Sequence, residues 1–391
     1  EYLCTIFNPT NHFLSKTSDF MLALFLLAWI VQMYYYFYIF RPFLLQLPIR
    51  NSKQPTNFDA GVSVIICAKN EAHNLVTNLR SILTQDYPNF EVIVVDDNST
   101  DNTANILADF VAQYSHLRIL STKKFDSKAQ GKKKALTNGI MFAAYDIVLL
   151  TDADCYANSD QWLQLMVAPF VRSEVDIVLG VSPYLPTATS HWLNTIIQYE
   201  TAYTALQYLS FAHCGFAYMG VGRNLAYRKK LFYEQIGFQT HQHIASGDDD
   251  LFIGTAATTT NTVWVASSDA LCLTPPPLTW QAWVKQKKRH LSTARHYRLS
   301  HQIRLTLLSA SHLWLYLSAI ISLLTLPTPQ VSLIAILLCL RYGFQVWYFP
   351  RLIVLQMHLT ARQYVLADVV FVGYYLFFLP ILIANQSPKW K

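Results

Sequence analysis

The chain has 391 residues and a formal net charge of +6. Apolar residues make up 52% of it and charged residues only 14%, against about a quarter charged in soluble globular domains. So few charges cannot cover a wholly soluble chain of this length, so part of it is expected to face lipid. The modest positive balance comes with no nucleic-acid motif and points to anionic surfaces or phosphorylated substrates instead.

Residues 20–40 (FMLALFLLAWIVQMYYYFYIF) carry no charge and have about the length that spans a bilayer. No basic stretch directly precedes them and no small-residue cleavage site follows, so an anchor is expected, with residues 1–19 outside the cytoplasm. The aromatic run 34–40 suits an interfacial belt, and Arg41 and Arg50 follow it in a linker spanning 41–60.

From residue 61 the pattern changes. Residues 62–67 (VSVIIC) and 91–95 (EVIVV) are short β-branched runs that predict buried strands, as do 117–120 and 147–150. Between them, 72–83, 103–114 and 132–144 have helical spacing, with Ser99 or Thr100 available to cap the second helix. This alternation predicts an α/β fold with a mostly parallel sheet.

In such a sheet the carboxyl ends of the strands line the ligand crevice. Glu71, Asp96, Asp97, Asp152 and Asp154 all fall just past strand ends. Five carboxylates on one rim repel one another unless a cation joins them. Mg²⁺ or Mn²⁺, held by one or two carboxylates and by substrate phosphates, resolves that, and Asp152 and Asp154 in T-D-A-D are the candidate metal ligands.

Three further apolar stretches follow, at 305–326, 331–347 and 366–384. Arg341 lies within the second, where snorkelling or a tilted helix is expected, and Asp368 near the start of the third. Arg41, Arg50 and Lys53 follow the first span, seven Lys or Arg from Lys285 to Arg304 precede the second, and Arg351 and Arg362 separate the last two. The positive-inside rule places 41–304 in the cytoplasm, with Lys389 and Lys391 in minor dissent. The six cysteines are isolated, with no C-x-x-C pair, which argues against a zinc ribbon or a disulfide framework and for a reducing compartment.

Four segments in order carry a resemblance: VSVIICAKNE (62–71), VIVVDDNSTD (92–101), GKKKAL (131–136) and TDAD (151–154). Together they resemble the family-2 glycosyltransferases, including the cellulose or hyaluronan synthase-like and ceramide glucosyltransferase-like branches, over roughly residues 61–297. The resemblance implies an A-type glycosyltransferase fold and inverting transfer from a nucleotide-diphosphate sugar. By motif, Ala68, Glu71, Asp96 and Asp97 would hold the nucleoside, Lys132 or Lys134 would lie near it, and Asp152 and Asp154 would bind the diphosphate through the metal.

The same resemblance extends further along the chain. SGDDDL (246–251) is similar to the family's Glu-Asp motif, which supplies the general base. Gly247 stands at the usual Glu if Asp248 is the base, and the choice between Asp248 and Asp249 stays open. QKKRH (286–290) resembles Q-x-x-R-W with His290 for Trp, which makes Gln286 and Arg289 diphosphate contacts, since a guanidinium fork matches phosphate oxygens. Trp283 and His290, with Gly222, Arg223 and Asn224 of the small-residue loop, would lie on the acceptor side. The expected organisation is a catalytic domain over 61–275, a basic interfacial helix over 276–304 and about three membrane helices over 305–385.

The leading expectation is therefore an integral membrane enzyme, at a bacterial inner membrane, moving a sugar to a lipid-linked or glycan acceptor. A processive polysaccharide synthase is the first alternative and an inactive membrane scaffold the second. The lost Trp at position 290 weakens the processive reading.

Overall fold

The computed structural model describes residues 9–45, 58–122, 131–187, 191–244, 246–355 and 358–383. Residues 1–8 of the expected outer segment, most of the 41–60 linker with Arg50 and Lys53, and Cys4, Lys389 and Lys391 lie outside the described residues.

Helix α1 (Pro9–Tyr34) runs through one π-helical turn at Tyr35–Ile39 into the short α2 (Arg41–Leu44). Strands β1 (Val62–Ala68), β2 (Phe90–Asp96), β3 (Leu117–Ser121) and β4 (Ile147–Asp152) then alternate with α3 (Ala72–Leu83), α4 (Thr103–Gln113) and α5 (Lys132–Phe142). Next come β5 (Tyr156–Ala157), α6 (Trp162–Val167), β6 (Ile177–Leu179), α7 (His191–His213), β7 (Leu225–Arg228), α8 (Lys229–Glu234), α9 (Asp250–Ala256), β8 (Thr262–Trp264), β9 (Cys272–Leu273) and α10 (Trp280–Leu291). The chain closes with α11 (Leu299–Thr325), α12 (Thr328–Tyr348) and α13 (Ala361–Ile383).

Seven strands form one sheet in the order β3-β2-β1-β4-β7-β6-β8. Only β7 runs against its neighbours. Both faces are buried, as the near-continuous apolar runs require. Ile65, Ile93 and Val148 enter one core with α5 and α7, whereas Val64, Val94 and Leu149 enter the other with α3, α4 and α6. Register fixes the rim, because Ala68 pairs with Asp96 and Cys67 with Asp152. The carboxylates at the ends of β2 and β4 therefore flank the end of β1.

The loops beyond that rim interlock. Asn70 and Asn98 sit just past β1 and β2 with φ of 57° and 58°, a left-handed region that asparagine tolerates better than most residues. Asn70 Oδ1 accepts the Thr100 N–H at 2.8 Å, and Ser99 Oγ accepts the Asn70 N–H at 2.9 Å. Ser99 and Thr100 thus clamp one loop to the other and do not cap α4. Asp101 takes the capping role, with its carboxylate accepting the Thr103 N–H at 3.1 Å.

Among the described residues, four helical segments are long and apolar enough to cross a membrane: Asp19–Ile39, Leu299–Thr325, Thr328–Leu352 and Ala361–Ile381. The expected aromatic belt at 34–40 is only half external. Tyr34, Phe37 and Tyr38 are exposed, but Tyr35, Tyr36, Ile39 and Phe40 are buried. The Tyr35 hydroxyl donates to the Arg304 carbonyl at 2.7 Å, joining the π-helical turn after α1 to the N-terminal part of α11.

Arg341 does not snorkel. Its guanidinium is fully buried and donates to Asp368 Oδ2 at 2.7 Å and to the Tyr316 hydroxyl at 3.0 Å. Asp368 also accepts from Tyr199 and Tyr316, and His312 lies 3.3 Å away. Gln32 of α1 reaches Arg341 and Ser311. One ion pair thus joins α1, α7, α11, α12 and α13, and an apolar surrounding leaves neither charge another way to be solvated. Cys67, Cys155, Cys214, Cys272 and Cys339 are free thiols.

Removing one partner of a buried pair strands the other, at about 3–5 kcal/mol. Arg341→Leu should therefore lower the unfolding midpoint in detergent more than the double variant Arg341→Leu/Asp368→Leu does. Equal or greater loss in the double variant would show that the pair carries no such charge penalty.

Candidate active site

The site forms where three segments meet above the sheet rim: the end of β4, the first turn of α5 and the loop into α9. Lys132 opens α5. The glycine before it, Gly131, has φ of 123°, a conformation that side chains rarely adopt, and this lets the chain turn sharply into the helix. Lys132 Nζ lies 2.9 Å from Asp152 Oδ1 and 3.2 Å from Asp248 Oδ2. Burial works against its charge, but Asp152, Asp248 and Asp249 outweigh it and hold the ammonium protonated.

The three lysines of G-K-K-K take three different paths. Lys133 is buried, and its ammonium donates to the His241 carbonyl at 2.7 Å and the Ile244 carbonyl at 3.0 Å. It tethers the loop that leads into the aspartate cluster. Burial, then the Lys133 charge, pushes the neighbouring His241 down to about 4, so that imidazole is neutral. Lys134, an alternative nucleotide contact by sequence, lies outside the cavity described below.

Asp248, Asp249 and Asp250 differ sharply in environment. Burial raises the proton affinity of Asp248, but the Lys132 ammonium beside it prevails and holds the carboxyl below its ordinary value. Asp250 is buried and tied on both sides. Its Oδ1 accepts the Leu251 N–H at 2.7 Å, and its Oδ2 accepts from the Thr293 hydroxyl and, at 2.8 Å, from the Tyr297 hydroxyl. It anchors α9 to the segment after α10.

Asp249 caps α9 through the Asp250 N–H at 2.8 Å. Its other oxygen accepts the Gly222 N–H at 2.9 Å. A Cβ on Gly222 would lie 3.3 Å from that oxygen, so the glycine permits the close approach. Burial first, and then the charges of Asp248 and Asp250, push the Asp249 carboxyl up to about 7. The cluster therefore holds one carboxylate neutralised by lysine, one locked by hydroxyls and one poised to exchange a proton near neutrality.

A cavity of about 670 Å³ opens over these groups. Lys132, Asp152, Asp154, Asp248 and Asp249 line its floor, and Gly222, Arg223, Gln286, Arg289 and His290 line its sides. Those sequence candidates are brought together. Ala68, Glu71, Asp96 and Asp97 share the strand rim but do not line this cavity. Asp97 is held by the Thr122 hydroxyl at 3.2 Å and by Lys69 at 3.9 Å, and the Asp96 carboxylate accepts the Ser99 N–H at 3.0 Å.

Two acceptor-side candidates have other positions. Asn224 is fully buried, accepts from the Trp162 indole at 3.0 Å and donates to the Val181 and Ala270 carbonyls. It supports the loop below Arg223 and does not face the cavity. Trp283 is buried against Tyr374 and Phe378 of α13, with ring centroids 5.9 and 5.7 Å apart, and docks α10 on that helix. Lys287, between the two α10 residues that the sequence motif singles out, turns inward to an ion pair with Glu200 of α7. Neither Lys133 nor the Lys287–Glu200 pair is legible from spacing, because each depends on a partner remote in sequence.

Residues 63–234 match the model of glycosyl transferase family 2. The poly-beta-1,6-N-acetyl-D-glucosamine synthase of Staphylococcus epidermidis is 34% identical over 148 residues, 37% of this chain and 32% of that protein. The beta-monoglucosyldiacylglycerol synthase of Nostoc sp. is 34% identical over 119 residues, 30% of this chain and 25% of that protein. The chain thus matches about a third or less of these relatives' length. Among solved structures, the mannosyltransferase PcManGT from Pyrobaculum calidifontis superposes with a TM-score of 0.59 at 20% identity, over 91% of this chain and 99% of that one, which establishes a shared fold.

The proton affinities are testable without substrate. Isotope-edited infrared titration should find Asp249 half-protonated near pH 7. Asp248→Asn removes a like charge and one of the two carboxylates that neutralise Lys132, so both effects should move the Asp249 midpoint down. An Asp249 midpoint in the ordinary carboxylate range in the parent protein would contradict this assignment.

Proposed function

We propose, from the match of residues 63–234 to the glycosyl transferase family 2 model, an inverting, membrane-anchored glycosyltransferase that uses a nucleotide-diphosphate sugar and a divalent ion. The observation that carries this reading is the single cavity in which Lys132, Asp152, Asp154, Asp249 and Arg289 meet. A diphosphate requires cations, a leaving group requires charge neutralisation, and an acceptor hydroxyl requires a base.

Ala68, Glu71, Asp96 and Asp97, on the rim beside β1, are the proposed nucleoside contacts. Gln286 and Arg289 would meet the diphosphate from above. Asp152 and Asp154 fit a hard divalent ion that takes its other ligands from phosphate and water, and among the described residues no cage of three or more His, Cys, Asp or Glu exists to hold one independently. When bound, the ion neutralises charge developing on the leaving diphosphate. PcManGT, which shares the fold, was solved with GDP-Man and Mn²⁺.

In the transfer itself, the acceptor hydroxyl attacks the anomeric carbon and its proton passes to Asp249. The bond from that carbon to the diphosphate breaks, and the nucleoside diphosphate leaves. Asp249 suits the proton step better than Asp248, because a base works best with a proton affinity near the operating pH, and Asp248 is already neutralised by Lys132. We place the catalytic domain on the cytoplasmic side, from the basic residues that flank the four apolar segments.

A donor screen that follows nucleotide release by purified protein, with Mn²⁺ or EDTA, tests the reading. Asp249→Asn should cut turnover by about two to four powers of ten, the usual range for a lost general base, and leave donor affinity nearly unchanged. The kcat/KM of the parent should rise with pH up to about 7 and then level off, because the base must be unprotonated. A fully active Asp249→Asn with a dead Asp248→Asn would move the base by one residue. Asp154→Ala should abolish the Mn²⁺-dependent gain in nucleotide affinity seen by calorimetry, and equal affinity in Mn²⁺ and EDTA for the parent would remove the metal role. For orientation, a cysteine placed at the exposed Thr84 should react with an impermeant maleimide only after cells are opened.

A further inference from the structure

The cavity is larger than its floor requires. None of the four proposed nucleoside contacts lines it, so its volume lies over the diphosphate end of the site and beyond. From Asp249 it extends between α7, α11 and α13, and α11 and α13 are both long and apolar enough to cross a membrane. Leu308, Leu313, Phe371 and Phe378 line this arm. A sugar alone does not call for such a wall.

The polar groups of the arm are selective in kind. Among the described residues that α7, α11 and α13 contribute to the lining, Glu200 alone is charged, and Lys287 neutralises it. The others are hydroxyls and amides, such as Thr204, Gln207 and Ser309. Thr201 Oγ1 is shielded from solvent and has no protein hydrogen-bond partner. A buried polar atom of this kind is normally satisfied, which leaves it available to a hydroxyl-bearing molecule. Besides Lys287, the cations that line the cavity (Lys132, Arg223, Arg289 and Arg295) all come from outside these three helices.

We propose that this arm binds the sugar acceptor, and that the acceptor is a lipid with an uncharged, hydroxyl-bearing head whose chain lies between α11 and α13. The proposal rests on the glycosyltransferase reading and adds the acceptor's class to it. The head hydroxyl faces Asp249, and the apolar chain never leaves an apolar environment, so it pays no desolvation penalty on reaching the catalytic groups.

The test uses the full chain in phosphatidylcholine nanodiscs with a diazirine-bearing dioleoylglycerol. Photolabel should map to the arm, near Leu313 and Phe378. Ala310→Trp, which fills the arm from α11, should reduce that label by about tenfold, and the outward-facing Leu307→Trp should not. Nucleotide binding in the same samples reports folding, and Ser309→Phe replaces Ala310→Trp if that variant fails to bind nucleotide. Label confined to outward residues, or unaffected by filling the arm, overturns the proposal. Stronger displacement of label by undecaprenyl phosphate than by unlabelled dioleoylglycerol overturns the uncharged head. The donor screen separates the two readings. Turnover onto a soluble acceptor with no label in the arm removes the lipid and keeps the transferase, whereas label with no turnover of any donor removes the transferase and with it the acceptor role.

Discussion

Carboxylates crowded at one sheet rim are the constraint on which this site depends. Parallel strands end together, so Asp96 and Asp152 are brought to one edge by register, and the loop into α9 adds three more acids. Lys132 holds the two halves together by bridging Asp152 and Asp248. Its position explains why the three neighbouring aspartates do not behave alike. The ammonium stabilises the charge on Asp248, and the repulsion that remains falls on Asp249. Proton affinity is thus divided by geometry among residues that are chemically identical.

A second ion pair performs the corresponding task in the helical bundle. Arg341 and Asp368 are each expensive in an apolar medium, and together they are satisfied by three helices' worth of hydroxyls and amides. Pairing links α12 to α13 directly, through the 2.7 Å contact of Arg341 with Asp368 Oδ2. It also reaches into the catalytic half through Tyr199 of α7, whose hydroxyl donates to Asp368 at 2.9 Å. Helix α7 in turn carries Glu200, which receives Lys287 of α10. The wall of the cavity is therefore tied to the bundle by adjacent residues of α7: Tyr199, hydrogen-bonded to the Arg341–Asp368 pair, and Glu200, ion-paired with Lys287.

That continuity joins anchor and chemistry. Helix α10 offers Gln286, Arg289 and His290 to the cavity and docks on α13 through Trp283. The cavity floor is polar and charged, while its far arm is apolar and lies against helices suited to a membrane. A site built this way suits the proposed transfer from a water-soluble phosphorylated donor to a lipid-borne hydroxyl, since neither would move fully into the other's solvent.

Much of this was legible in the sequence, and the reason is locality. Strands such as 62–67 and 91–95 announce themselves by uninterrupted β-branched runs, the helix at Ala72–Leu83 by its spacing, and the rim carboxylates by following strand ends. Four apolar stretches and their basic flanks were equally plain, because lipid imposes length and composition on each span separately. What the sequence left open was decided by partners distant along the chain. Whether Arg341 snorkels depends on Asp368, and whether Trp283 meets a sugar depends on α13. Asn224 was drawn from the acceptor side into the support of its own loop by Trp162. The proposed choice of Asp249 over Asp248 rests on Lys132, more than a hundred positions earlier. A motif fixes which residues are acidic, but only the folded chain sets which of them stands beside a cation, and that neighbour determines the proton affinity.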